Sequence, residues 1–430
     1  MDNKKAIIVS LHNDNLELSH LAESLDYKIA RVFIQHQKNP GRPFYVGKGK
    51  IEEIKDFVEK NGVGCIIVNG SLTPSQWYNM ERETGVKVYD RIRLILDIFA
   101  DRAKRKEGRL QVKLAYLRYE KPYVRELIHR TKMGEHPGFM AGGEYQVSNY
   151  YEMIKKQIKK IRNDLKKLER ERESLNSYRE KKGFYLVTIA GYTNAGKSSL
   201  LNQMTGEHVK VEGKLFSTLS TTTRMVRQNS GKKAPILLTD TVGFIKELPH
   251  WLIDSFHSTL REIELSDMVI LLLDINDDVE NLKEKAELSI KEITNINSYQ
   301  KIIFGLNKAD LLVESKRKRK LEELKEIIGE RPYVFLSAKT GENVENLIER
   351  IYDCIPNNVT MEARFPHTIK RQDISKIFKG DDVKPLYIDC NPDGTVRIIC
   401  NDKVKEKIAG KFMKKGAKVE VVPGGLNGER

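Results

Sequence analysis

One eight-residue run constrains the fold of this chain more than any other feature. Gly191-Tyr192-Thr193-Asn194-Ala195-Gly196-Lys197-Ser198 fits GxxxxGK[ST] in full. An apolar stretch at 184–190 precedes it and a helical pattern follows. A strand that runs through a glycine-rich turn into a helix belongs to a βα unit, with the turn at the strand's carboxyl end. The glycines let backbone N–H groups close around phosphate oxygens, and the helix N-terminus favours negative charge there. Lys197 is expected to reach the β- and γ-phosphates. The Ser198 hydroxyl is expected on Mg²⁺.

Three further short motifs follow, each after an apolar run. Asp240-Thr241-Val242-Gly243 has the DxxG form. Asp240 is expected to contact Mg²⁺ through water, and the Gly243 N–H to sense the γ-phosphate. Asn307-Lys308-Ala309-Asp310 has the NKxD form. The two carboxylate oxygens of Asp310 can accept the N1–H and 2-amino protons of guanine, a donor pair that adenine lacks. Ser337-Ala338-Lys339 matches the loop that supports guanine in such proteins. Singly these matches are weak; their order and spacing make them specific. The expected ligands are GTP and GDP with Mg²⁺, and the expected reaction is GTP hydrolysis.

Two segments read as switches. In Phe216-Ser217-Thr218-Leu219-Ser220, Thr218 is the expected second protein ligand on Mg²⁺, with Thr221, Thr222 and Thr223 as competitors. Phe244 follows Gly243, where Ras-like enzymes carry a glutamine that orients the attacking water. Phenylalanine cannot do this, so unassisted turnover should be slow and the group that orients the water is not identified.

Around this centre the expected class is α/β. Residues 184–356 repeat a βα pattern and read as a doubly wound P-loop GTPase domain. Residues 1–100 alternate strand-like and helix-like runs and read as a separate N-terminal α/β domain. Within it, Gly47-Lys48-Gly49-Lys50 lacks phosphate-loop spacing and reads as a turn or helix start. Residues 101–183 read as an antiparallel helical hairpin. One apolar stripe runs through Leu110, Leu114, Leu117, Val124 and Ile128, with a polar gap at Lys121. The other runs through Ile154, Ile158, Ile161, Leu165, Leu168 and Leu175. Pro122 is expected to kink or break the first helix. A tip loop at 133–143 holds four glycines and a proline. Residues 360–430 read as a small C-terminal α+β module, with the turn Asn391-Pro392-Asp393-Gly394 between two strands.

Charge points to partners. The chain carries 75 Lys/Arg against 60 Asp/Glu. The excess recurs on the hairpin, with ten basic and four acidic residues at 101–131 and twelve and six at 151–182. A solvated helix face mixes the signs evenly, so an electropositive arm that binds a polyanion is expected. No apolar run is long enough to span a bilayer, and a cytoplasmic monomer is expected. The four cysteines form no CxxC pair and are expected to be plain thiols, with Cys390 and Cys400 facing each other across a hairpin.

The chain resembles the HflX family of ribosome-associated GTPases. The phrase GYTNAGKSSLLN at 191–202 is similar to the family's phosphate loop. The segment Phe216–Ser220 resembles its FATLD segment, which supports Thr218 as the magnesium ligand. Outside the GTPase domain, YVGKGK at 45–50, LTPSQ at 72–76 and DRIRLILDIFADRAKRKEGRLQVKLAYL at 90–117 are similar to its N-terminal domain. AGGEYQVS at 141–148 stands where the family reads GPGETQLE. The resemblance implies binding to the large ribosomal subunit and its rRNA, with the arm toward the peptidyl-transferase region, and a role in splitting or rescuing stalled ribosomes. An RNA-modification GTPase and an RNA-binding module that holds GTP as a structural ligand are the alternatives.

Overall fold

The computed structural model describes residues 4–132, 143–206, 222–227, 234–241, 243–244, 249–253, 257–355, 359–366, 373–374, 377–378, 383, 385–391 and 395–422. The tip loop at 133–142, Phe216, Ser217, Thr218, Leu219, Ser220, Thr221, Val242 and the Pro392-Asp393-Gly394 turn lie outside the described residues. The chain divides into two compact units, and the division falls inside one long helix, between Leu168 and Glu169.

The first unit opens with β1 (Lys5–Ser10), α1 (Leu16–Glu23), β2 (Lys28–Ile34), α2 (Lys48–Asn61), β3 (Cys65–Val68), α3 (Pro74–Thr84), β4 (Lys87–Asp90) and α4 (Arg91–Arg102). The four strands form a parallel sheet in the order β2-β1-β3-β4. Ile7, Val9, Ile66 and Val68 bury one face under Ile54 and Val58 of α2 and Met80 of α3. Local chemistry sets the helix ends. Gly47 is the N-cap of α2, so the glycine-rich Gly47–Lys50 run is a helix start. Thr73 and Gln76 form a reciprocal capping box with Pro74 in the first turn of α3. The Asp90 side chain caps α4 by accepting from the Arg93 N–H at 2.8 Å.

Helix α5 (Lys106–Lys132) follows, then α6 (Gly143–Lys181). Leu114, Leu117 and Val124 pack with Ile154, Ile158 and Ile161 in one apolar seam. Two details differ from the sequence expectation. Pro122 lies inside α5, which does not break there. The proline is exposed. The second stripe ends before Leu175, which is 57% exposed, while Asn176 beside it is buried. The polar gap in the first stripe is occupied: the Lys121 ammonium lies 5.9 Å from the Tyr151 ring centre. The short helix His250–Ile253 also belongs to this unit, and the Arg118 guanidinium donates to the Trp251 carbonyl at 2.9 Å.

The second unit begins with the last part of α6. It continues through β5 (Tyr185–Gly191), α7 (Lys197–Thr205), β6 (Thr222–Met225), β7 (Ile236–Asp240), then, past the first unit's His250–Ile253 helix (α8), α9 (His257–Glu264), β8 (Met268–Asp274), α10 (Val279–Ile296), β9 (Ile302–Asn307), α11 (Glu314–Ile328), β10 (Tyr333–Phe335) and α12 (Val344–Cys354). The strands form one sheet in the order β10-β9-β8-β5-β7-β6, parallel except for β6. One face packs Val187 and Ile189 against Leu200 and Met204 of α7 and Leu347 and Ile351 of α12. The other packs Leu271, Leu273 and Phe304 against Leu282 and Ile293 of α10 and Leu324 and Ile328 of α11. Helices cover both faces, which is why the central strands are apolar throughout rather than alternating.

Four antiparallel strands close the chain: β11 (Val359–Arg364), β12 (Tyr387–Cys390), β13 (Thr395–Cys400) and, after α13 (Lys405–Met413), β14 (Lys418–Val422). Their order is β12-β13-β11-β14. Cys390 lies opposite Val396 and Cys400 opposite Val359, so the two cysteines do not face each other. All four cysteines are free thiols. Residues from this module grip the junction between α6 and β5. The Asn401 amide donates to the Gly183 carbonyl. The Lys403 ammonium bonds the Asp267 carboxylate at 2.7 Å and lies 4.8 Å from the Tyr185 ring centre.

Candidate nucleotide site

The four predicted loops emerge from the carboxyl ends of β5, β7, β9 and β10, all at one edge of the parallel sheet. That edge, where the chain leaves neighbouring strands toward opposite faces, is where open α/β sheets bind ligands.

The first loop has a backbone that only small side chains permit at its key positions. Gly191 has φ 146°, and a Cβ there would lie 2.3 Å from the Leu272 carbonyl oxygen. Gly196 has φ 96°, and a Cβ there would lie 2.3 Å from Asn307 Nδ2. Asn194 takes the left-handed conformation with φ 65°. Asparagine tolerates that region better than most residues.

Lys197 starts α7 and is buried. Its ammonium donates to the Tyr192 carbonyl at 2.8 Å. Burial pulls its pKa down to about 8, and the nearby Asp240 carboxylate only partly opposes this. A buried ammonium in that condition favours the arrival of anionic oxygens. Ser198 Oγ donates to the Asp240 carboxylate at 2.9 Å. The two predicted magnesium contacts therefore meet, as a hydroxyl beside a buried carboxylate. Both are hard oxygen donors of the kind Mg²⁺ takes. Thr241 is buried and its hydroxyl donates to the Ile189 carbonyl at 2.7 Å, which makes it a structural tie.

Beyond Asp240 the chain returns to the phosphate loop. Phe244 N–H donates to the Gly191 carbonyl at 3.0 Å, and the Thr193 N–H donates to the Phe244 carbonyl at 3.1 Å. Gly243 is held so close that a Cβ would meet Lys197 Nζ at 2.8 Å and Thr193 Cγ2 at 2.9 Å. The Phe244 ring packs on the apolar core beside α10 and α11. It therefore serves as an anchor for this segment rather than as a polar group near the phosphates.

At the other end of the site Asn307 is a buried cross-brace. Its Nδ2 donates to the Ala195 carbonyl at 2.7 Å and its Oδ1 accepts the Ala338 N–H at 2.8 Å. One side chain thus ties the first loop to the last. Lys308 is in the left-handed region with φ 61°, and its ammonium pairs with the Asp274 carboxylate. Ala309 is buried and starts a single 3₁₀ turn that carries Asp310. Asp310 is exposed, with its carboxylate free of hydrogen bonds among the described residues. Ser337 is buried and its hydroxyl accepts the Thr340 N–H at 3.1 Å, which shapes the turn that presents Ala338 and Lys339.

Sequence reading did not anticipate two of these features. Thr222 and Thr223 lie in the edge strand β6, opposite Asp240 and Thr239, and the Thr223 and Thr239 hydroxyls are 3.0 Å apart. Their role here is in the sheet. The bracing by Asn307 has no signal in the NKxD spacing beyond the asparagine itself.

Residues 186–308 match a family described as 50S ribosome-binding GTPase. Residues 12–100 match the GTP-binding GTPase N-terminal family, and 102–179 the GTP-binding GTPase middle region. The GTPase HflX of Methanocaldococcus jannaschii is 39% identical over 82% of this chain and 86% of its own length. That of Thermococcus kodakarensis is 39% identical over 78% of this chain and 76% of its own. Among solved structures, a GTP-binding protein from Sulfolobus solfataricus in complex with GDP is 27% identical. It covers 81% of this chain and 98% of its own, with a TM-score of 0.44.

Proposed function

The chain belongs to the HflX family of GTPases, and on that premise we propose that its GTP hydrolysis takes place on the large ribosomal subunit and serves to split or rescue stalled ribosomes. The observation that carries the nucleotide assignment is the Asn307 bridge, which joins the phosphate loop to the loop beside the base in one rigid frame.

Within that frame Lys197 neutralises the β- and γ-phosphates, and the backbone amides of Gly191, Tyr192, Thr193, Asn194, Ala195 and Gly196 surround their oxygens. Ser198 and Asp240 fit a magnesium ion, with Thr218 as its second protein ligand. When bound, that ion offsets phosphate charge. Asp310 reads guanine through two hydrogen bonds, and Lys308, Ala338 and Lys339 line the base. Gly243 responds to the γ-phosphate, because it is held where even a Cβ would meet Lys197 and Thr193. The chain supplies no glutamine after Gly243 to orient water, so the ribosome is the source of the missing contact.

The ribosomal reading rests on the family match, on the basic hairpin and on the net positive charge. Single-turnover GTP hydrolysis with and without large subunits tests it. Strong stimulation by large subunits is expected. A rate that large subunits leave unchanged, with activity that instead needs a partner enzyme, would favour the RNA-modification alternative. Binding without turnover under either condition would favour a structural ligand.

A further inference from the structure

The helix that follows the guanine-reading loop has its charge the wrong way round. Residues 316–320 of α11 are Lys, Arg, Lys, Arg and Lys, with Glu314 the one acid before them. The second half carries Glu322, Glu323, Glu326 and, just beyond the helix, Glu330, against Lys325. A helix dipole favours acids at the N-terminus and bases at the C-terminus. This arrangement opposes the helix dipole, and intrahelical pairs such as Glu314–Lys318 offset that only in part.

Two of the five bases have structural duties. Arg317 bonds Glu342 at 2.9 Å and the Leu312 carbonyl at 2.9 Å, which fixes the start of α11 beside the Ser337–Lys339 turn. Lys320 donates to the Ile275 carbonyl at 2.7 Å. The other three project outward. Lys318 pairs with Glu314 at 2.7 Å, at a site where both side chains are more than 70% exposed. The Lys316 and Arg319 side chains are exposed and make no hydrogen bond or salt bridge among the described residues. Beside them Leu311 is 57% and Val313 64% exposed. Lys339 is exposed on the adjoining turn. The result is a basic surface with two apolar side chains, next to the loop that reads the base.

We propose that Lys316, Lys318 and Arg319, with Leu311 and Val313, form a second RNA-docking surface, separate from the helical hairpin, that takes the phosphate backbone of a folded RNA. Charge complementarity selects this occupant. Flexible cations on an open helix face suit a phosphate backbone, and the apolar pair suits sugar and base edges. The inference rests on the ribosomal reading for the RNA's identity, but not for the site itself. Docking here places a polyanion against the element that follows Asp310, so the base end of the nucleotide site and the RNA share one rigid helix.

The test uses the full chain and a Lys316→Glu/Arg319→Glu variant, each bound to large ribosomal subunits and to a free structured ribosomal RNA fragment across a salt series. Each phosphate contact contributes about 0.9 to the slope of log affinity against log salt. The variant is expected to lose about two such contacts in slope and roughly 10-fold or more in affinity at low salt, with fluorescent GTP binding unchanged. Leu311→Ser/Val313→Ser should weaken binding without altering the slope. Equal affinity and slope for wild type and variant on both RNAs would overturn the proposal while leaving the ribosomal reading intact. If wild type binds the free RNA but not the subunits, and only wild type does so, the surface stands and the ribosomal reading fails.

Discussion

Asn307 donates its side-chain amide to the main-chain carbonyl of Ala195 at 2.7 Å, across 112 residues of sequence. The bond is buried, and its counterpart to Ala338 is buried as well. Asn307→Ala leaves the Ala195 carbonyl and the Ala338 N–H without this partner, at about 1–3 kcal/mol each. GTP affinity should fall by roughly 10²-fold, and the melting temperature of the nucleotide-free protein should drop. Calorimetric titration and thermal unfolding check both.

Gly196→Ala should be more damaging than its size suggests. The new methyl meets Asn307 Nδ2 at 2.3 Å, at a φ of 96° that alanine disfavours. Backbone strain of about 1–3 kcal/mol adds to the loss of the brace. Near-normal nucleotide binding by this variant would mean that the loop relaxes around the clash.

The buried ammonium of Lys197 gives a pH signature. Its folded value of about 8 lies below the 10.5 of the free side chain. Between those values the unfolded chain holds more protons on this group than the folded chain does. The nucleotide-free protein should therefore gain stability as pH rises through that window, by at most about 3 kcal/mol. Phosphate oxygens restore the proton. GTP binding at pH 8.5 should take up a large fraction of one proton, measured by titration in buffers of different ionisation enthalpy. Lys197→Ala should abolish tight binding.

Asp310→Asn should weaken GTP by roughly 10²-fold, as expected for two charge-assisted hydrogen bonds. It should improve binding of xanthosine triphosphate, whose carbonyl can accept from the new amide. A retained preference for guanine would remove Asp310 from base recognition.

With the partly buried Phe244 packed against the core, basal hydrolysis should be slow, and large subunits should raise kcat by about 10³–10⁵, the range seen when a catalytic contact arrives in trans. Phe244→Gln should not restore fast basal turnover, because the site that the ring fills is apolar. Fast turnover by the wild-type chain alone would point to an internal group that positions water.

The nucleotide loops were legible because each is a short local pattern at the end of an apolar strand. What stayed hidden depended on distant partners. Nothing near Asn401 in sequence indicates that its amide reaches Gly183. The short strands β4 and β6 lack a long apolar run, and β6 is held at the edge by pairing with β7 alone. Pro122, expected to kink or break α5, does not break it, and the proline lies exposed on the helix surface. Leu175 shows the reverse error: the heptad spacing continues past the point where a second helix is present to cover it.

The grip of Asn401 and Lys403 on Gly183, Tyr185 and Asp267 has a consequence for synthesis. A chain is made from its N-terminus, so Asn401 and Lys403 leave the exit tunnel well after Gly183 and Tyr185. The start of β5, the strand that leads to the phosphate loop, is therefore held in place only after the 218 residues that separate Gly183 from Asn401 have emerged. A nascent chain halted after α12 would already carry every predicted nucleotide loop, yet lack the contacts that fix the base of their central strand. Translation itself thus sets the moment at which the base of that strand is fixed.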